Sequence, residues 1–375
     1  MNIRSFWRLL ISNQLETTTQ SQKKLTIAIP SHNGASNFVE LFASINNLGL
    51  EESEYELLVV DNNSTDGTDE VLSRLSNGYS NLRYHQNSRN IGRIENWNRA
   101  IELSTGKYLI IMNVNDRFLK FDIHNYLLYL DNHPEIPMVF ADIQFKETIY
   151  PNWLESGVIS LEAYLKKTFL DRDYLEFHSV GILHQHIFKR SVITENNIRF
   201  DSKLPRTTDR VFVGEVVKAG GGNFYYTNKP MVSWHLNQLR YHNTVHNDKE
   251  FNFNELWINE YEANLRLSQI GNIPFQDFLK SQLTLASSYT HKKRFRNLTN
   301  GIFKLKPTHI GMEFPTAAIY YEYLKAIARL NGVSINHLMV SSVGFMLVIK
   351  EFLTHHGWRN KHPRSIKGLL TVAES

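Results

Sequence analysis

Three places in the sequence combine residues that could do chemistry with neighbours that could hold them still. Asp61 follows the apolar run 55–60 and opens Asp61-Asn62-Asn63-Ser64-Thr65-Asp66-Gly67, so a carboxylate stands where a strand gives way to a loop. A buried acceptor there suits an N–H of a ligand base, and it equally suits an Asx turn. Asn113, Asn115 and Asp116 follow the apolar run 108–112. Their oxygens are hard donors of the kind Mg²⁺ and Mn²⁺ accept, although an amide oxygen is neutral and a weaker ligand than a carboxylate. The bland alternative is that these residues only end a strand. Asp209, in Thr207-Thr208-Asp209-Arg210, opens a helical pattern. A carboxylate there can take a proton from a hydroxyl or complement the helix dipole. The helix terminus and Arg210 would lower its pKa, and burial would raise it.

The elements that must position these groups are legible in the apolar pattern. Runs 25–29, 55–60, 82–85 and 108–112 read as strands. Between them, Phe38, Leu41, Phe42, Ile45 and Leu48, then Val71, Leu72 and Leu75, then Ile94, Trp97 and Ile101 recur at helical spacing, with Gly49 and Gly106 as stops. This alternation predicts an α/β fold with a doubly wound, mainly parallel sheet flanked by helices. Ligands of such sheets bind beyond the strand ends, here the loops after Ile29, Val60 and Met112. Residues 138–145 and 182–188 read as further strands and 209–219 as a helix. Beyond residue 247 the patterns become long and helical, as at 251–270 and 317–330. Three regions result: an amphipathic N-terminal segment (1–23), the α/β domain (24–247) and a helical C-terminal region (248–375).

Composition excludes several function classes. The chain has 375 residues and no cysteine, so thiol chemistry and disulfides are out, which suits a reducing compartment. A formal charge of +4 names no partner and gives no reason to expect nucleic acid. Basic residues cluster at 291–296 and 359–367, where solvated helix faces compete with contact to an anionic surface. Arg4 and Arg8 flank Phe6 and Trp7 without the apolar core and cleavage site of a secretory signal. The apolar stretch 333–349 is broken by Asn336, His337, Ser341 and Ser342, so no transmembrane helix is expected.

Taken in order, Ile29-Pro30-Ser31-His32-Asn33, the stretch from Val59 through Asp61 to Thr68, and Asn87-Ser88-Arg89-Asn90-Ile91-Gly92 running on to Asn98, Ala100 and Gly106-Lys107-Tyr108 resemble family 2 glycosyltransferases of the GT-A fold. The specific similarity covers residues 24–118, and a looser one runs to about residue 242. The resemblance implies that 24–247 is a GT-A domain. It implies inverting transfer of a sugar from a nucleotide-diphosphate donor to a hydroxyl of a glycan or lipid-linked glycan, in the surface-polysaccharide assembly of a microbe. A cytoplasmic setting follows, with peripheral contact to the inner face of the plasma membrane and a homo-oligomer both compatible. By the same resemblance Asp61 reads the nucleotide base, Pro30, Ser31, His32 and Asn33 line its pocket, and Asn63, Arg89, Asn90, Asn113 and Asn115 face the donor. Asp209 matches the residue that takes the acceptor proton.

One departure is conspicuous. The family usually carries Asp-X-Asp, which holds a divalent cation against the diphosphate, where this chain has Asn113-Val114-Asn115 followed by Asp116. The expectation is a Mn²⁺ or Mg²⁺ retained through Asn115, Asp116 and His235, the last standing where relatives carry Arg or His near the diphosphate. Two rivals are metal-free catalysis with basic residues on the leaving phosphate, and a sugar- or nucleotide-binding protein without activity. Taken alone, His235 reads as a hydrogen-bonded structural residue, diluted by His242 and His246. His178, His184 and His186 are equally ambiguous, since 183–188 alternates like a strand with one face toward the cleft. Asp66 reads as a helix cap, and Trp234 as core or as a platform for a sugar ring. A nucleotidyltransferase is disfavoured, because Pro30 to Gly34 is a poor match for a glycine-rich phosphate loop.

Overall fold

The four early apolar runs form the parallel half of one sheet: β1 (Leu25–Ser31), β2 (Tyr55–Asp61), β3 (Leu82–Gln86) and β4 (Tyr108–Ile111). The structure, a computed structural model, describes residues 23–145, 147–150, 155–170, 183–204, 207–235 and 253–274. Helices α1 (Phe38–Ile45), α2 (Thr68–Leu75) and α3 (Arg93–Leu103) connect the strands. The second half adds β5 (Arg117–Phe118), α4 (Ile123–Asn132), β6 (Met138–Phe145), β7 (Thr148–Tyr150), β8 (Gly157–Ser160) and α5 (Leu161–Leu170). It continues with β9 (His186–Lys189), α6 (Arg190–Glu195), α7 (Thr208–Ala219), β10 (Asn223–Trp234) and α8 (Phe253–Ile270). The sheet runs β3-β2-β1-β4-β9-β6-β10-β5, with β7 beside β6 and β8 beside β10.

Side-chain alternation along the central strands builds two cores. Ala28, Leu58, Val60, Leu109 and Ile111 face α3, α5, α6, α7 and α8. Leu25, Ile27, Ile29, Leu57, Val59, Tyr108 and Ile110 face α1, α2 and α4. The α/β architecture is as expected, and its parallel character is strict from β3 to β4. In the second half only β6 and β10 pair in parallel, and β9, β7, β8 and β5 join antiparallel.

Two local expectations change. The strand expected at 182–188 is a single 3-10 turn, Leu183–Gln185, followed by β9, so His184 sits on the turn rather than on a strand face. The strand β10 carries Pro230, which lacks an N–H for the ladder, and its register against β6 shifts on either side of that proline. Ala263 and Leu267 of α8 lie in the same core as Val213 and Val217 of α7. The amphipathic segment 1–22, His178, His242, His246, the helix 317–330, the stretch 333–349 and the basic clusters 291–296 and 359–367 lie outside the described residues. Among the described residues no helix is long and apolar enough to cross a membrane.

Away from the strand ends that bear the candidate residues, a buried polar knot fixes the strand starts. Thr26 Oγ1 donates to Glu56 Oε1 at 2.6 Å, and that oxygen also accepts the Thr105 N–H at 2.7 Å. Gly106 N–H donates to Thr26 Oγ1 at 2.8 Å. A Cβ at Gly106 would lie 2.5 Å from the Thr26 backbone nitrogen and 2.6 Å from the Leu25 carbonyl carbon, backbone that cannot yield without breaking the β1–β2 pairing. Gly106→Ala is therefore expected to destabilise the fold by about 1–3 kcal/mol or more, read as a lower denaturant midpoint in an unfolding titration.

Candidate functional site

Parallel register brings the ends of three strands into line: Ser31 of β1 pairs with Asp61 of β2, and Asp61 with Gln86 of β3. Asp61 is fully buried. Its Oδ2 accepts from Tyr84 Oη at 3.0 Å and Gln86 Nε2 at 3.0 Å, and its carboxylate takes the Ser64 N–H at 3.2 Å and the Ser64 hydroxyl. Burial and the Asp61 charge hold the Tyr84 phenol well above its ordinary range, so it keeps its proton and donates. The local side-chain cap weighed from sequence is thus present, reaching three residues on rather than the two of an Asx turn. Asp61 works as the hub of its loop, with Ser64 between its carboxylate and the exposed Asn63 and Thr65.

An asparagine network stitches this loop to its neighbours. Asn96, on the first turn of α3, donates to Val60 O at 3.0 Å, and its Oδ1 accepts from Asn87 Nδ2 at 2.8 Å. Asn62 accepts from Asn87 at 3.1 Å and from the Ile91 N–H at 2.9 Å, and donates to Asn90 Oδ1 at 2.7 Å. Asn90 Nδ2 and Asn33 Nδ2 each lie 3.4 Å from His32 Nε2. Asn33, left-handed at φ 53°, donates its N–H to Ser64 Oγ at 2.7 Å and accepts the Thr65 N–H on its Oδ1 at 2.9 Å. Asp66 reaches across to the Ala35 N–H at 3.0 Å and also takes the Thr68 N–H, so it ties two loops together as well as steadying the start of α2. Pro30, Ser31, His32, Asn33, Asp61, Asn63 and Asn90 therefore share one rim. Arg89 lies in the same loop with an exposed side chain. Asn62, Asn87 and Asn96 were not singled out from sequence, because a buried amide and a turn amide read alike until their partners are known.

The turn after β4 is built differently from the sequence expectation. Asp116 is 1% exposed; its Oδ1 accepts the His235 backbone N–H at 2.7 Å, and its Oδ2 lies 3.3 Å from His184 Nδ1. The same ring nitrogen is 2.9 Å from Asn113 Nδ2. Burial lowers the His184 pKa against the pull of Asp116, so the ring is neutral at neutral pH. The Arg117 guanidinium donates to Val114 O at 3.1 Å and Asp116 O at 2.9 Å, and bridges to Glu40 at 2.7 Å. The His235 ring turns to Ser233 O at 3.1 Å. Of the expected cation ligands, Asp116 is committed beneath the turn, His235 meets it through backbone while its ring turns to Ser233, and the Asn115 Oδ1 is buried without a hydrogen-bond partner among the described residues. Among the described residues no group of three or more His, Asp or Glu is arranged to hold a metal ion. With its carboxylate so committed the donor set does not fit a divalent cation, and His184, ambiguous from sequence, packs against the turn from the 183–185 segment.

Asp209 lies in the first turn of α7 with part of its surface accessible. Burial pushes its carboxyl up to about 6, outweighing the charge of Arg210, the Arg210 N–H at 3.0 Å and the charge of Arg93. Arg93 is the first residue of α3, directly after the loop that carries Arg89 and Asn90, and its guanidinium lies 5.0 Å over the Trp97 ring. Position relative to the sheet is set by aromatic packing: Phe200 stacks on Phe212 of α7 at 3.9 Å and meets Trp97 of α3 edge-on at 5.2 Å. Asn98 clamps the Phe200 backbone from both sides, at 2.9 and 3.1 Å. Arg210 reaches Asn264 of α8 at 3.2 Å, so α8 buttresses the turn that bears Asp209. Arg93, directly after the loop with Arg89 and Asn90, thus stands close enough to Asp209 for its charge to act on that carboxyl.

Comparison with known proteins gives a consistent result. Residues 26–195 match the family model described as glycosyl transferase family 2. The chain is 27% identical over 220 residues to the abequosyltransferase RfbV of Salmonella typhimurium, covering 56% of this chain and 65% of that protein. It is 24% identical over 199 residues to the poly(ribitol-phosphate) beta-N-acetylglucosaminyltransferase TarP of Staphylococcus aureus, covering 52% of this chain and 57% of that one. The matched region thus spans between just over half and about two thirds of these relatives. The fold is similar to that of S. aureus TarS 1–349 solved with UDP-GlcNAc, at TM-score 0.58 and 14% identity over 86% of this chain and 85% of that one.

The buried network and the raised carboxyl each have a measurable effect on stability. Asn96→Ala takes a buried donor from the Val60 carbonyl and removes the acceptor of one Asn87 amide N–H, and is expected to cost about 1–3 kcal/mol in chemical unfolding. An unfolded aspartate loses its proton near pH ~3.9, whereas folded Asp209 holds it to about 6. Through that window the folded state binds more protons, so stability falls as pH rises and the loss is complete above the folded value. Asp209→Asn is accordingly expected to raise the melting temperature at pH 8 and to leave it nearly unchanged at pH 4.

Proposed function

From the premise that residues 26–195 form a family 2 glycosyltransferase domain, we propose that the chain is an inverting glycosyltransferase. It moves a sugar from a nucleotide-diphosphate donor to a hydroxyl of a glycan or lipid-linked glycan in surface-polysaccharide assembly. The observation that carries this reading is Asp209, a partly buried carboxyl with its pKa pushed up to about 6, set beside the Arg93 end of the donor loop. A base poised near the working pH is ionised often enough to act and basic enough to accept a proton. As the acceptor oxygen attacks the anomeric carbon, its proton passes to Asp209 and the diphosphate leaves from the opposite face of the sugar. TarS structures carry UDP and UDP-GlcNAc, which supports a nucleotide-sugar donor for this chain. The rim from Pro30 to Asn33, with Asn63, Arg89 and Asn90, is where that donor would lie, and Asp61 would act on the base through the Ser64 turn it organises.

The catalytic domain spans 24–247 on this reading, and the region from 248 onward supports it, as the Arg210–Asn264 contact suggests for its first helix. The protein works in the cytoplasm, with peripheral contact to the inner membrane face where its acceptor is lipid-linked. A second reading, a sugar- or nucleotide-binding module without turnover, is favoured by the amides at 113 and 115.

A screen of nucleotide sugars against glycan acceptors separates the two. Turnover is expected to rise with pH through about 6, and Asp209→Asn is expected to cost about 10³-fold or more in kcat while donor affinity is kept. Donor binding without turnover on any acceptor would establish the module instead.

A further inference from the structure

We infer that this chain neutralises the donor diphosphate with its own guanidinium groups, Arg93 foremost, and that its reaction uses no divalent cation. The inference rests on the glycosyltransferase reading and concerns the turn after β4. Asn113 and Asn115 bring no charge to that turn. The one carboxylate within it, Asp116, would have to release the His235 N–H and leave the His184 ring before it could bind an ion. The turn carbonyls of Val114 and Asp116 are held by Arg117, whose fixed positive charge occupies the oxygens a cation would otherwise use and repels an ion brought near them. Amide for acid, inward carboxylate and resident guanidinium each act against a hard cation, and they act at the same few residues.

The charge that must be stabilised remains. In the transfer the acceptor oxygen forms its bond to the anomeric carbon, the bond from that carbon to the diphosphate oxygen breaks, and the electron pair stays on the diphosphate. The proton goes to Asp209, so no other reactant is required. Arg93 starts α3 immediately after left-handed Gly92, at the end of the loop that Asn62 anchors. It carries an exposed guanidinium backed by the Trp97 ring. Its charge reaches Asp209 on α7, and its backbone closes the loop that carries Arg89 and Asn90, so a phosphate leaving beside that loop would meet it. A guanidinium offers two parallel N–H donors to phosphate oxygens and does not need coordination geometry.

The test is calorimetric titration of the full-length chain with UDP, GDP, CDP and dTDP, in EDTA and again in Mn²⁺. Affinity for the preferred nucleotide is expected to agree between the two buffers within about threefold; tightening by about tenfold or more in Mn²⁺ overturns the inference. Arg93→Ala is expected to weaken binding by about tenfold or more with a cooperative unfolding transition retained and no recovery in Mn²⁺, and Arg93→Lys to recover part of it. Unchanged affinity in Arg93→Ala removes Arg93 from the role. Asn113→Asp combined with Asn115→Asp is expected to create Mn²⁺-dependent binding; a double variant that stays insensitive contradicts the loss of these two charges as the cause. Failure of all four nucleotides to bind in either buffer takes down the glycosyltransferase reading itself, an outcome distinct from binding that requires Mn²⁺.

Discussion

The site depends on one constraint: where the parallel strands end, the backbone must leave the sheet without abandoning its hydrogen bonds in the interior. Val60 is buried within the β1–β2 ladder, and its carbonyl also accepts from the Asn96 side chain. An amide suits this task because it donates and accepts at once and carries no charge to desolvate. Asn96, Asn87, Asn62 and Asn90 pass donor to acceptor across three loops, and each satisfies the next. A partly filled network of this kind would cost more than an apolar core, and a filled one fixes a single arrangement. The loops that carry His32, Asn33, Asn63 and Asn90 inherit their shape from this network, since the exposed residues are pinned from beneath by buried amides.

Most of the negative charge in the same region is committed inward. Asp61 directs its carboxylate to Ser64, Tyr84 and Gln86. Asp116 directs its own to the His235 N–H beside a neutral imidazole. Asp209 is left as the carboxylate whose burial exceeds its compensation, which is why its pKa rises although a helix terminus and two arginines oppose the shift. The cost appears as lost stability above about pH 6, and it is borne where a base would be useful. Cations outside the turn, at Arg93 and Arg210, face that carboxylate without quenching it.

The second half of the molecule serves this arrangement by packing more than by chemistry. Phe200 wedges between α3 and α7, and Asn98 supplies the hydrogen bonds that a neighbouring strand would otherwise give its backbone. Gly214 lets α8 approach α7 so closely that a Cβ there would meet Leu267 Cδ2 at 2.7 Å. From α8, Arg266 holds Asp201 at 2.8 Å, and Asp201 in turn receives the Lys203 N–H, so the start of the segment that leads toward α7 is braced from both sides.

By itself the sequence determined the α/β alternation, the strand ends that bear the site and the separate origin of Asp61, Asn113 to Asp116 and Asp209. These depend on apolar periodicity and on turn residues, which act locally and can be read along one chain. The antiparallel joins of β9, β7 and β8 and the strand through Pro230 were not legible, because edge pairing and a register shift depend on what lies alongside. Asn96 and Arg93 stayed hidden, and His184 ambiguous, for the same reason: each owes its role to a partner tens of residues away or more. Which way the Asp209 pKa moves, and whether Asp116 faces a ligand or the core, were decided only by tertiary structure. Both are balances between desolvation and neighbouring charge, and residue order fixes neither the depth of burial nor the distance to the opposing group.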